Sequence, residues 1–252
     1  MYEDFMPTRE PVTPEYALDV LRDAHRQQCQ HDPEADPDVE LSFATTVAEW
    51  RQACDLLPWR QVADAYNLWW DFQCSHEEWH DALEPAKLRT LADVCSLLAR
   101  HAKLPRTRPA KVLGAPCLCG GTFLTIRSLL REAGADIAEI APSTPLGFYA
   151  RRYLHVFLGP ISWLAPGALP AVKIHHPVYD SAVWGCLVGL LSGVIGACAS
   201  LPWVAIGGGL VFVVSYSMTW IAARCLGPRR VDFGDLKTFR DLTTVVASHV
   251  RI

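Results

Sequence analysis

Between Asp180 and Arg224 the chain runs for 43 residues, Ser181–Ala223, without one charged side chain. Crossing roughly 30 Å of hydrocarbon takes about 20 apolar residues in a helix. The stretch is therefore long enough for two crossings. Leu201-Pro202-Trp203 stands near its midpoint, and a proline there suits the first turn of a new helix. The expected spans are 181–200 and 202–223. Trp184, Trp203 and Trp220 fall near span ends, where aromatic belts form.

Gly185, Gly189 and Gly193 recur every four residues, and Gly207, Gly208 and Gly209 form a triplet in the second span. Four-residue spacing puts small residues on one helix face, where two backbones can approach closely. Two arrangements use such a face: the two helices of the hairpin packing on each other, or a homodimer in the bilayer. The tight turn favours the first.

Arg151, Arg152 and Lys173 precede the hairpin, Arg224, Arg229 and Arg230 follow it, and the turn at Pro202 has no base. By the positive-inside rule both termini are expected in the cytoplasm. The start, Met1-Tyr2-Glu3-Asp4, lacks the basic and apolar regions of a signal peptide. Nine cysteines at 29, 54, 74, 95, 117, 119, 186, 198 and 225 form no disulfide framework and fit a reducing compartment. The pair Cys117-Leu118-Cys119 lacks the second pair that a structural zinc site needs, so these two are expected to be small buried residues.

The net charge of −4 conceals a gradient. Residues 1–42 carry eleven acids and three bases, whereas residues 100–173 carry ten bases and three acids. A chain with this balance is not a basic nucleic-acid binder. Outside the hairpin it reads as helices, giving an all-α fold. An acidic N-terminal helix and linker (1–41) comes first, with Thr13 capping a helix that opens on Pro14. A helical domain (42–105) follows, in which Ser75 and Glu78 form a capping box and Thr90 and Asp93 cap a closing helix. Next come a basic linker and helical pair (106–156) and a Pro-rich segment (157–180). Residues 157–172 are apolar but broken by Pro160, Pro166 and Pro170, and are expected to lie at the membrane interface. A short cytosolic helix (224–252) ends the chain. Its segment TFRDLTTVVASHV (238–250) echoes TLADVCSLLARHA (90–102), sharing Thr, Asp, Ala and His. Any two N-capped amphipathic helices produce an echo of this kind.

His76-Glu77-Glu78-Trp79-His80 matches HExxH. On a long buried helix two histidines four apart bind zinc and the glutamate between them activates water. Here the motif sits in the first turn after Ser75, where acids serve as caps. Glu84, Asp93 and His101, the available third ligands, stand at no familiar spacing. His175-His176 precedes the hairpin as juxtamembrane polar residues. No phosphate-binding glycine loop and no GxSxG nucleophile elbow occurs. The spans hold no ionisable side chain of the kind an ion pathway uses.

Residues 55–102 resemble the later helices of acyl carrier proteins. Asp55-Leu56-Leu57 stands where that family has Asp-Ser-Leu, Ser75-His76-Glu77-Glu78 resembles its acidic loop, and Thr90-Leu91-Ala92-Asp93-Val94 resembles its closing helix. Leu56 replaces the serine that carries phosphopantetheine, so the resemblance does not imply carrier activity. The expectation is a non-enzymatic inner-membrane protein with no cofactor or metal, whose helical part meets the lipid bilayer and an unidentified protein partner. The rival expectation is a membrane-anchored zinc metallopeptidase using His76, Glu77 and His80.

Overall fold

The structure, a computed structural model, describes residues 7–112, 114–175, 177–225 and 230–250. The chain's first residues, His176 and Arg229 lie outside the described residues. The protein is mostly helical. It divides into two compact units. Unit 1 is built from Met1–Lys173 together with Asp232–Ile252, and unit 2 is Ile174–Val231.

Unit 1 begins with β1 (Thr8–Pro11) and α1 (Pro14–Gln28), where the Thr13 hydroxyl accepts the Tyr16 N–H. Then come α2 (Val47–Ala53), α3 (Trp59–Trp69), α4 (His76–Leu83) and α5 (Leu91–His101). β2 (Lys103–Arg106) returns antiparallel to β1, with Glu10 opposite Leu104. Leu18, Leu21, Trp50, Trp79, Leu91 and Leu98 are buried in the core these elements share. The second half of the unit starts with the hairpin β3 (Ala110–Val112) and β4 (Ala115–Cys117), then α6 (Leu118–Glu132), α7 (Leu146–Arg152) and α8 (Leu154–Val156). The chain then kinks at Gly159 within Phe157–Ile161, and a 3-10 turn (Ser162–Leu164) follows. After unit 2 the chain returns as α11 (Phe239–His249) and packs on α6. The strands are three or four residues long, too short to show an alternating pattern in the sequence.

The two halves repeat one backbone design. In the first, Thr46 bridges Thr90, and in the second Pro145 bridges Thr238. The Val47 N–H donates to Arg89 O (2.8 Å) as the Leu146 N–H donates to Lys237 O (2.9 Å). The Leu91 N–H donates to Thr45 O (2.9 Å) as the Phe239 N–H donates to Thr144 O (3.1 Å). The Ala92 N–H reaches Phe43 O just as the Arg240 N–H reaches Pro142 O. Ahead of each crossing a threonine hydroxyl closes the same turn, Thr45 on the Ser42 N–H and Thr144 on the Ala141 N–H. Val47, Trp50, Leu91 and Val94 are buried, and so are their counterparts Leu146, Tyr149, Phe239 and Leu242. α1 packs on α5 as α6 packs on α11. The echo between 90–102 and 238–250 is thus one element of a repeated backbone arrangement. What differs is the insertion between the second helix and the closing helix: α3 and α4 in the first copy, and in the second copy a segment that includes all of unit 2.

Residues 157–172, expected at a membrane interface, instead belong to the interior of unit 1. Phe157, Ile161, Trp163, Leu164, Leu169 and Val172 are buried there. The reason is a set of polar bonds to α1 that the apolar pattern conceals. Ser162 Oγ donates to Asp23 Oδ2 (2.7 Å), and Arg26 donates to Leu169 O (2.6 Å). Gln27 donates to Pro170 O and accepts the Val172 N–H, both at 3.0 Å. The Tyr16 hydroxyl donates to Trp163 O.

Unit 2 consists of α9 (Pro177–Cys198) and α10 (Pro202–Cys225), flanked by the paired strands β5 (Lys173–His175) and β6 (Arg230–Asp232). Both helices are long and apolar enough to cross a membrane. Gly189 faces the partner helix so closely that a Cβ there would lie 2.5 Å from Phe212 N, and one on Gly208 would lie 2.3 Å from Gly193 N. Gly185 and Gly193 face α10 as well. The four-residue stripe is therefore covered by the chain's own second helix, and a homodimer through it would require the hairpin to open. Gly207 and Gly209, either side of Gly208, face open space.

Two expectations test this architecture. Thr46→Ala and Thr238→Ala each remove a helix cap, since each hydroxyl accepts an N3 amide. Each should lower the unfolding free energy of unit 1 by about 0.5–2 kcal/mol in denaturant titrations. In the hairpin, Gly189→Ala and Gly208→Ala should lower the thermal stability of the detergent-solubilised protein, while Gly207→Ala and Gly209→Ala leave it unchanged or higher.

Candidate functional site

The HEEWH segment forms the start of α4. Its capping box is complete: Ser75 Oγ accepts the Glu78 N–H (3.2 Å), and Glu78 Oε2 accepts from Ser75 N (3.2 Å) and Ser75 Oγ (2.9 Å). Four residues apart, His76 and His80 do point the same way, as the helical period requires. What they meet is the indole of Trp59 on α3, edge to face, with ring centroids 6.0 and 5.2 Å away. His76 Nε2 is also 2.7 Å from Asp64 Oδ1. Glu77 is exposed. Among the described residues, no third metal-ligating side chain converges with both histidines. Glu84 faces Arg51, and Asp93 caps α5.

The motif's buried member is Trp79. It is fully enclosed, and its indole N–H donates to Asn67 Oδ1 (2.9 Å), whose amide donates to Cys74 O (2.9 Å). Tyr66 and Phe72 pack on its ring. Trp79 thereby pins the first turn of α4 to α3.

That placement builds a second constellation. Cys74 precedes the cap, Glu78 lies on the first turn, and His101 ends α5. Cys74 Sγ donates to Glu78 Oε2 (3.4 Å), and His101 Nε2 is 3.0 Å from Glu78 Oε1. One ligand atom from each of the three lies within 4.8 Å of the others. Phe72 stacks on the His101 ring at 5.9 Å and 18°. The amide and hydroxyl of Ser75, then the Cys74 thiol, hold the Glu78 carboxyl down at about 2. Burial, then the Glu78 carboxylate, pushes the Cys74 thiol up to about 12. No local spacing joins these three residues in the sequence: their separations of four and 23 form no motif, and the HExxH pattern points to His101 only as a third ligand for His76 and His80.

The remaining candidates stand apart. Cys117, expected to be buried, is half-buried and caps α6 by accepting the Gly120 N–H (3.2 Å), and Cys119 is exposed. Asp55-Leu56-Leu57 forms the turn between α2 and α3, and Leu56 packs partly against the core. A cavity of about 340 Å³ opens beside α1, lined by Arg22, His25, Cys29 and the 37–41 loop. Comparison with known proteins finds no matching family model, no matching curated protein and no matching solved structure.

The contrast between these roles is measurable. Trp79→Ala should cost about 3–5 kcal/mol of unfolding free energy as a large buried aromatic. Glu77→Gln, on the solvent side of the same helix, should stay within about 0.5 kcal/mol of wild type.

Proposed function

We propose that this protein is a membrane-anchored helical interaction protein. In this reading unit 2 crosses the inner membrane twice, and unit 1 stands on the cytoplasmic side to hold a protein partner there. The observation that carries it is the outward surface of the hairpin. All but four of the exposed large hydrophobic side chains among the described residues lie between Val183 and Ile221; the four are Leu57, Leu68, Leu88 and Phe148. Only 17% of the apolar window of α9 and 6% of that of α10 is buried within the protein. A helix of a soluble core would be covered, and soluble proteins rarely expose apolar patches beyond a few hundred Å². Lipid is the natural cover for such a surface.

The composition of unit 1 supports two crossings. Its fold uses chain from before and after the hairpin, because α11 packs on α6. Both flanks must then be on one side of the membrane, which an even number of spans provides. Arg151, Arg152 and Lys173 favour the cytoplasm for that side. Nothing in the arrangement of His76, Glu77 and His80 favours a peptidase over this reading.

The full-length protein should sediment with membranes and resist alkaline carbonate extraction. A variant in which a short flexible linker replaces 177–229 should be soluble and keep the helical content of unit 1. Full-length protein in the soluble fraction would overturn the anchor. Reporter fusions at residues 1 and 252 should both report the cytoplasm, and opposite signals would mean an odd number of spans.

A further inference from the structure

We propose that Cys74, Glu78 and His101 form a binding site for a zinc-class divalent cation. The ion would be held by thiolate, carboxylate and imidazole, with a fourth position open to water. This inference is independent of the membrane reading.

The donor set is the first argument. Thiolate and imidazole select zinc and its borderline-soft neighbours over magnesium or calcium. The second is distance. Zinc sits about 2.3 Å from sulfur and about 2.0–2.2 Å from nitrogen and oxygen, which places tetrahedral ligands about 3.3–3.5 Å apart. Cys74 Sγ and Glu78 Oε2 are 3.4 Å apart, and Glu78 Oε1 and His101 Nε2 are 3.0 Å apart. The thiol and imidazole ligand atoms lie within 4.8 Å of each other, so closing all three on one ion draws that pair together by at most about 1.3 Å, a movement that side-chain rotation supplies. The third argument is preorganisation. The Ser75 cap fixes Glu78, and Phe72 fixes the imidazole plane. The Asn67 amide holds the Cys74 carbonyl.

The protein contains its own control. Glu49, Asp93 and Asp241 close the capping boxes of α2, α5 and α11. Among the described residues, Glu78 alone of these capping acids joins a thiol and an imidazole in a metal-ligating group. His249 holds in α11 the place that His101 holds in α5, and its Nδ1 lies beside its own helix, 2.9 Å from Val245 O. The cluster therefore exists where the α3–α4 insertion supplies Cys74 and Glu78 to the end of α5. A closing helix with a terminal histidine does not create it.

Charge and protons balance. Binding replaces the S–H proton of Cys74, so with neutral His101 one proton leaves for each ion bound. Thiolate and carboxylate then neutralise the dication.

The test is a cobalt(II) titration of the full chain in detergent, after chelator treatment and with Cys74 reduced. The expected result is saturation at one ion per chain, with a thiolate-to-cobalt charge-transfer band and the visible bands of tetrahedral cobalt, all reversed by zinc. Cys74→Ser should abolish the charge-transfer band. His101→Gln should weaken binding by more than the ~10–100-fold that loss of an outer-shell partner causes. His76→Ala and His80→Ala should change neither. Absence of a charge-transfer band in the wild-type protein would overturn the proposal, and this outcome needs no variant to fold. Bands that survive Cys74→Ser but vanish in His76→Ala and His80→Ala would also overturn it and assign the metal to the HEEWH pair.

Discussion

The structure of unit 1 depends on two short backbone crossings, Thr46 on Thr90 and Pro145 on Thr238. In each, main-chain amides at the start of one helix are satisfied by carbonyls just before another helix, and the reverse. Helix N-termini leave amides without intrahelical partners, so such a crossing satisfies groups that would otherwise need water or side chains. It also joins the ends of whatever chain lies between. In the first copy that chain is residues 54–89, and in the second it is residues 153–237. Loop-closure entropy grows only with the logarithm of length, so the longer insertion costs roughly 0.8 kcal/mol more to close. A module pinned in this way can accept an insertion as large as unit 2 without losing its core.

The two insertions have diverged in what they meet. The first folds back as α3 and α4, and its Trp70 and Trp79 enter the core. The second supplies residues 157–172 to unit 1 and then departs as two helices whose close-packed seam is made of glycines. In water, burial of large side chains usually holds two helices together. In α9 and α10 the exposed face carries the large side chains, and Gly185, Gly189, Gly193 and Gly208 line the seam between the helices. This inversion suits helices whose surroundings are as apolar as their own side chains, where backbone proximity becomes the available attraction.

Much of this was legible in order along the chain. Freedom from charge over 43 residues is a one-dimensional property, so the hairpin and its turn at Pro202 could be read directly. The capped helices at Thr13, Ser75 and Thr90 were legible because caps are local. The repeated backbone arrangement was less so. Its crossing segments, Phe43–Val47 and Pro142–Leu146, share one aligned threonine, and backbone hydrogen bonds leave little mark on side-chain identity. By prolines and apolar residues alone, 157–172 read as an interfacial segment. Their place was set by Asp23 and Gln27, more than 130 residues earlier.

The chemistry of α4 shows the same division. The sequence alone determined that His76 and His80 share a helix face and that Ser75 and Glu78 cap it, since both follow from the helical period and the first-turn amides. It also determined that Trp79 lies on a different side from Glu77. Only the tertiary structure decided what each face meets. Packing of α3 put the Trp59 indole against the two histidines, and packing of α5 brought His101 to the Cys74–Glu78 pair. A side chain's chemical role depends on neighbours within a few ångströms. Neighbours contributed by other helices are fixed by packing of the whole core, which no local spacing records.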